Sequence, residues 1–132
     1  MRRLGVLTAC AALAAGATGC SDASTALERH RRALQSLSAT SEAVVTGWLA
    51  GQLPGTYAHA ALQQTFQLNE RQRTALAVSP EALHDPRAVQ LIETAEELGR
   101  LIAALTIDVT TEDATMARRH IRQMPLQGTA QP

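Results

Sequence analysis

The sequence predicts an all-α protein: a small up-down bundle of three long helices and a shorter fourth, following a cleaved signal peptide. Apolar residues recur at steps of three and four through most of the chain, which is the spacing of one helix face. Proline and glycine interrupt this pattern at short turns, and short turns make neighbouring helices antiparallel. The 132 residues are enough for one domain with a modest core.

The first predicted helix covers residues 26–53 and ends at Pro54-Gly55. Its apolar stripe contains Leu27, Leu34, Leu37, Val44 and Trp48, with His30 and Ser41 at the remaining positions. We expect His30 to be a boundary residue with a partly exposed ring. Trp48 has two interpretations, a core anchor or an exposed contact for a partner, because tryptophan is enriched at binding hot spots.

The second predicted helix covers residues 57–78, with Thr56 as its cap. Its apolar face comprises Ala58, Ala61, Leu62, Phe66, Leu68 and Leu76, interrupted by Asn69 and Arg73. A single helical turn is predicted at residues 80–84, capped by Ser79. Asp85 is the predicted cap of the next helix, with Pro86 at its first position.

The third predicted helix has the most regular pattern in the chain. Its heptad seam consists of Ala88, Leu91, Ala95, Leu98, Ile102 and Leu105, widened by Val89, Ile92 and Leu101. Glu96 and Arg100 are spaced for an ion pair one turn apart. Gly99 borders the seam, and because glycine weakens a helix interior by about 1 kcal/mol, we expect another helix to cross closely there.

The β-branched segment 107–111 is either a kink or a continuation of the third helix. A fourth helix is predicted over residues 112–124, and Thr110 and Asp113 have the spacing of a capping box. Pro125 ends this helix. Residues 125–132 are predicted to be a disordered tail. The bundle domain is therefore expected to cover residues 26–124.

The first twenty residues have the organisation of a secretory signal. Arg2 and Arg3 precede an apolar run over residues 4–17, and the segment closes on Ala17-Thr18-Gly19-Cys20. The run is shorter and less apolar than the roughly 20 residues of a membrane-spanning helix. Its ending resembles the lipobox of bacterial lipoproteins, although Ala17 stands where that family usually has leucine. An ordinary cleaved signal and an uncleaved anchor are the alternatives.

The lipoprotein resemblance implies how this protein is processed and where it lies. Residues 1–19 would be the signal peptide, Cys20 the lipidated first residue carrying fatty acyl chains such as palmitate, and residues 20–25 a polar lipidated tether. The protein would then be anchored in the bacterial cell envelope and face the periplasm. Ser21, rather than an aspartate, follows the cysteine, which favours the outer membrane over the inner. Cys10 would be removed, so no disulfide is expected.

No catalytic motif is present, and we expect no enzymatic activity. The sequence contains neither a phosphate-binding glycine loop nor a His-Glu-x-x-His zinc motif. The formal charge of +0, without a basic cluster, argues against binding to nucleic acid. The leading hypothesis is a membrane-tethered, non-enzymatic interaction or structural module that binds another envelope protein or a second copy of itself.

A periplasmic metal- or small-ligand-binding bundle is the alternative hypothesis. Met116, His120 and Met124 are four residues apart and would line one face of the last helix. Thioether and imidazole ligands suit Cu(I), the only cofactor that the sequence indicates. The competing interpretation is that these residues bind no metal, because methionine commonly fills gaps in cores and a single histidine is commonly solvated.

Overall fold

Four α-helices and one 3₁₀ helix account for the regular structure of residues 18–127, the part of the chain that the computed structural model describes. They are α1 (Thr18–Leu49), α2 (Gly55–Ala77), a 3₁₀ corner (Pro80–Leu83), α3 (Pro86–Thr110) and α4 (Ala114–Ile121). The predicted all-α class, with three long helices and a shorter fourth, is confirmed. Most of the predicted signal peptide and residues 128–132 of the predicted tail lie outside the described residues.

Helix α1 differs from the prediction at both ends. It begins at Thr18, so residues 20–25, predicted to be a separate tether, are helical. It ends at Leu49 rather than at residue 53, because Gly51 adopts a left-handed conformation with φ 71°. The amide of Gly51 donates to the Trp48 carbonyl and that of Gln52 to the Gly47 carbonyl, the pattern of a Schellman helix end. The prediction placed the stop at Pro54-Gly55 and overlooked Gly51.

The predicted helix starts are partly correct. Asp85 caps α3 as predicted, because its Oδ1 accepts a hydrogen bond of 2.9 Å from the Arg87 amide. Pro54, rather than Thr56, occupies the cap position of α2. Ser79 occupies the cap position of the 3₁₀ corner as predicted, but its hydroxyl donates to the Leu76 carbonyl in the last turn of α2 and makes no capping hydrogen bond to the corner.

Cross-helix hydrogen bonds define the arrangement of the bundle. The Asn69 amide nitrogen donates to the Ala95 carbonyl at 2.8 Å, and His59 Nδ1 lies 3.0 Å from Thr110 Oγ1, so α2 and α3 run antiparallel. His30, partly exposed as predicted, bonds through Nδ1 to the Gln72 side chain and joins α1 to α2. Every residue of the predicted α3 seam except half-buried Leu91 is fully buried in the core, which confirms that seam.

Several predicted core positions are wrong. Phe66, Leu68 and Val89 are exposed. The buried row of α2 includes neither Phe66 nor Leu68 and runs instead through Ala58, Leu62, Thr65, Asn69 and Leu76. Arg100 pairs with Glu97, one turn away at a spacing of three residues, and not with Glu96. Trp48 is half-buried against the core.

The close helix crossing expected at Gly99 is confirmed. Gly99 is buried, and a Cβ added there would lie only 3.0 Å from Asn69 Nδ2 and 3.4 Å from Glu70 Oε1. Asn69 itself is fully buried, and its Oδ1 has no hydrogen-bond partner among the described residues. The absence of a side chain at Gly99 therefore leaves room for a polar side chain of α2.

The carboxyl-terminal part of the fold differs from the prediction in the lengths of its helices and in the packing of residues 125 and 126. Helix α3 continues unbroken to Thr110, and α4 is shorter than the predicted residues 112–124. Asp113 caps α4 by accepting from the Met116 amide at 3.0 Å, but Thr110 takes no part in that cap. The beginning of the predicted tail is packed on the bundle, because Ser38 Oγ donates to the Pro125 carbonyl at 2.7 Å and Leu126 contacts the core.

Candidate functional site

A buried polar pair lies where the chain turns from α3 to α4, a region that we call the α3–α4 corner (residues 108–120). Asp108 is buried, His120 is mostly buried, and His120 Nδ1 lies 2.6 Å from Asp108 Oδ2. An ionised carboxylate only accepts hydrogen bonds, so Nδ1–H donates to Asp108. In the neutral imidazole, this arrangement leaves the lone pair on Nε2 as the group available to another partner.

The backbone of this corner holds the pair in place. The Asp113 amide donates to the Asp108 carbonyl at 2.8 Å and the Glu112 amide to the Val109 carbonyl at 3.3 Å, which is again a Schellman helix end. Its left-handed residue is Glu112, with φ 55°. A residue with a Cβ in this conformation costs about 1–2 kcal/mol relative to a right-handed helical residue. The turn that carries the buried pair is therefore locally strained.

The three predicted copper ligands are not all on one helix face. Met116 and His120 lie on α4, one turn apart, and both are at least partly buried. Helix α4 ends at Ile121, so the helical spacing does not extend to Met124, which is buried in the core. Within the described part of the chain, no three or more His, Cys, Asp or Glu side chains are grouped to hold a metal ion.

Asp108 is the residue of this site that the sequence interpretation missed. It lies beside the α3 seam, three residues after Leu105 and within the β-branched segment. A carboxylate next to an apolar seam was the available signal, since a buried charge requires a partner. Its partner, His120, lies twelve residues further along the chain and on another helix. No spacing rule within a single helix connects the two residues.

A second feature is the end of the bundle at which α1 begins, which we call the Cys20 end (residues 18–32 and 78–89). A cleft of about 450 Å³ joins the starts of α1 and α3 there. Its lining includes Ser24, Leu27 and Arg31 from α1, Arg87, Gln90 and Leu91 from α3, and Leu126. Residues 24–31 of α1 therefore lie beside residues 87–94 of α3, and the 3₁₀ corner directly precedes α3 at the same end.

Ion pairs organise the charged side chains of this end. Glu28 accepts hydrogen bonds from Arg31 at 2.7 Å and from Arg32 at 3.0 Å, and these bonds lower the pKa of its carboxyl to about 2. Asp85 receives hydrogen bonds from the side chain and the backbone of Arg87, which also lower its pKa. Both carboxylates are therefore held ionised beside arginine.

A third feature is a shallow groove on the outer side of the α2–α3 crossing, which we call the Gly99 groove. It encloses about 480 Å³ and is lined by Phe66, Glu70, Arg73, Glu96, Gly99, Arg100 and Ala103. The exposed ring of Phe66 and the small residues Gly99 and Ala103 supply its apolar surface. Glu70 and Arg73 pair at 2.8 Å on one side. The groove therefore combines an apolar floor with a charged rim.

Comparison with known protein families, curated proteins and solved structures found no match to this chain. Within residues 18–127, none of the helices combines the length and the apolar character needed to cross a membrane.

Proposed function

We propose that this protein is a lipid-anchored lipoprotein of the bacterial envelope whose helical domain is a non-enzymatic interaction or structural module. The observation that carries the proposal is the order of Arg2 and Arg3, the apolar run over residues 4–17, and the ending Ala17-Thr18-Gly19-Cys20. Positive charge, an apolar segment and small residues before a cysteine are the features of a lipoprotein signal. Cys20 is the proposed site of lipidation.

The chemistry of acyl chains supports anchoring through Cys20. Each methylene buried in a membrane contributes about 0.8 kcal/mol, and stable anchoring requires more than one chain or a second membrane signal. A lipoprotein-type cysteine carries three acyl chains and so meets this requirement alone. Ser21 after the cysteine favours the outer membrane, with the domain facing the periplasm.

The Gly99 groove is the surface that we propose for a protein partner. An apolar centre surrounded by charged side chains is the usual composition of a protein interface. Phe66 is 36% exposed and lies in this groove with the exposed, small side chain of Ala103, so an apolar side chain of a partner has room to contact the ring. The partner is either another envelope protein or a second copy of this chain.

Anchoring is tested by feeding cells that express the full chain an alkyne-labelled fatty acid and isolating the protein. We expect label on the wild-type protein in the membrane fraction and none on Cys20→Ala. A wild-type protein without label, or equal label on both proteins, would contradict lipidation at Cys20.

The interaction surface is tested by crosslinking in the same cells. Phe66→Ala removes the exposed ring of the groove, and Leu68→Ala is a matched control on the same helix, because Leu68 is 40% exposed. We expect a crosslinked dimer or heteromer in the wild type and the control, and its loss in Phe66→Ala. Equal crosslinking of both variants would exclude the Gly99 groove.

A copper-binding module is the second candidate function, and one observation favours it. A histidine that binds a metal usually donates its other N–H to a carboxylate, and His120 makes such a bond to Asp108. Met116, one turn earlier on α4, would supply a thioether. The test is Cu(I) titration of the mature protein, in which we expect Asp108→Asn to weaken binding by about tenfold and His120→Ala to abolish it. Unchanged affinity in His120→Ala would exclude this site.

A further inference from the structure

We infer that the Cys20 end of the bundle docks directly on the phospholipid headgroup layer of the membrane. This inference rests on the proposed anchoring at Cys20 and deepens it, because it assigns the domain an orientation and a contact surface. The surface comprises the exposed side chains of residues 22–32 of α1, of the 3₁₀ corner and of the first turn of α3.

The link between the anchor and the bundle is a continuous helix. Cys20 lies in the first turn of α1, which continues to Leu49. At 1.5 Å per residue, Ser24, where the cleft of the Cys20 end begins, is only about 6 Å further along the helix axis. A helix without an intervening flexible tether keeps this end of the bundle close to the anchored residue.

The two most exposed large apolar side chains of the described residues lie at this end. Leu83 is 81% exposed and Val78 is 78% exposed, the highest values among the large hydrophobic side chains of the described residues. Val89 is also exposed and lines a groove together with Leu83 and Gln90. Gln90 lines the α1–α3 cleft as well, so the apolar residues adjoin the start of α1. Side chains of this kind gain free energy on leaving water for the boundary between headgroups and acyl chains.

The charged side chains of this end can bind the phosphate groups of lipids, and the membrane need not carry a net negative charge. Arg29, Arg32 and Arg87 are exposed. Arg32 and Arg87 also pair with Glu28 and Asp85, but a guanidinium has five N–H donors, and those left over can donate to phosphate oxygens. Residues 18–32 and 78–89 contain four arginines and four acids: Arg29, Arg31, Arg32, Arg87, Asp22, Glu28, Glu81 and Asp85. The formal charge of this end is balanced, so we expect it to bind zwitterionic headgroups with little dependence on salt.

The test places a fluorophore at each end of the otherwise intact lipoprotein. After signal removal and acylation the chain has no free thiol, so Leu83→Cys and Ile107→Cys each introduce a single labelling site. Ile107 is a matched control, since it is 62% exposed and lies about 30 Å along α3 from the first turn of that helix. Both labelled proteins are reconstituted in phosphatidylcholine vesicles that carry a nitroxide quencher on the upper acyl chain.

We expect the quencher to lower the fluorescence at position 83 by about twofold or more, and to leave position 107 almost unchanged, at low and high salt. The mass of the amino-terminal peptide is measured on the same sample. Acylated Cys20 with no quenching at position 83, or with equal quenching at both positions, would overturn the docking and leave the proposed anchoring intact. Unmodified Cys20 would overturn the anchoring and the docking together.

Discussion

The α1–α2 turn and the α3–α4 corner are two helix ends with the same backbone pattern and different residues. Both have the hydrogen bonds of a Schellman helix end. The α1–α2 turn places Gly51 at the left-handed position with φ 71°, whereas the α3–α4 corner places Glu112 there with φ 55°. Glycine adopts this conformation without steric cost, but glutamate does not.

The strained turn is the one that holds the buried pair of Asp108 and His120. Backbone strain persists where the surrounding structure determines the conformation, and it often accompanies functional sites. At this corner, the Asp108 carbonyl accepts from the Asp113 amide while the Asp108 carboxylate binds His120. The difference between the two turns indicates that the polar pair, and not the turn residue, stabilises the α3–α4 corner.

Removal of the buried carboxylate should produce the largest effect. Asp108→Ala leaves His120 mostly buried without its partner, and we expect the free energy of unfolding to fall by about 2–3 kcal/mol in urea denaturation. His120→Ala should cost a comparable amount, because the Asp108 carboxylate, which is more buried than the His120 ring, is then left without its partner.

A double-mutant cycle provides the control for this pair. The losses in Asp108→Ala and His120→Ala should not add in the double variant, because both remove the same interaction. Additive losses would show that the two side chains contribute independently. The polar pair would then not be what stabilises the α3–α4 corner.

At the α1–α2 turn, Gly51→Ala should destabilise the protein by about 1 kcal/mol. The added Cβ meets no atom within 4 Å, so the expected loss comes from the left-handed backbone alone. The shift of the urea midpoint at a constant slope measures it. An unchanged midpoint would mean that this turn adopts another conformation at little cost.

At the α3–α4 corner, Glu112→Gly should have the opposite sign. Glycine relieves the left-handed strain, although its greater freedom in the unfolded chain offsets part of the gain, and we expect about 0.5–1 kcal/mol of added stability. The same urea titration measures the change. Destabilisation by glycine would show that the Glu112 side chain makes a favourable contribution to the corner.

The smallest effect is expected at the exposed ion pairs of the Cys20 end and concerns pH. The pKa of Glu28 falls from its ordinary value of 4.5 to about 2 through hydrogen bonds to Arg31 and Arg32. A lowered pKa stabilises the fold above pH 4.5, and this contribution is lost as the pH falls toward 2. Glu28→Gln should therefore lose less thermal stability between pH 7 and pH 3 than the wild type.

Glu93→Gln is the control for the loss of one exposed carboxylate. It should keep the acid sensitivity of the wild type. Identical pH profiles for Glu28→Gln and the wild type would indicate that solvent screens this exposed pair completely.

The class of the fold could be predicted from the sequence because helix-forming patterns depend on spacing within a single segment. The heptad seam of α3 and the Asp85 cap depend on spacing within one segment, and both are confirmed. The predicted burial of α2 side chains was wrong where it depends on the shape of the neighbouring helix. Phe66 follows the apolar period of α2, yet Asn69 takes the buried position because Gly99 on α3 leaves space for it.

The candidate site was less predictable than the fold. His120 was identified by its spacing from Met116, but its closest polar partner, Asp108, lies on another helix. Met124 was expected to continue the same helix face, but α4 ends before it. The pairing of distant side chains depends on the tertiary structure, which a single-helix pattern does not encode.

The mass of the amino-terminal peptide from membrane-extracted protein tests the central claim, the anchoring of this bundle through Cys20, most directly. We expect a peptide that begins at Cys20 and carries the added mass of fatty acyl chains, and we expect Cys20→Ser to lack that species. A mature chain that begins at another residue, or a Cys20 with a free thiol, would contradict the account.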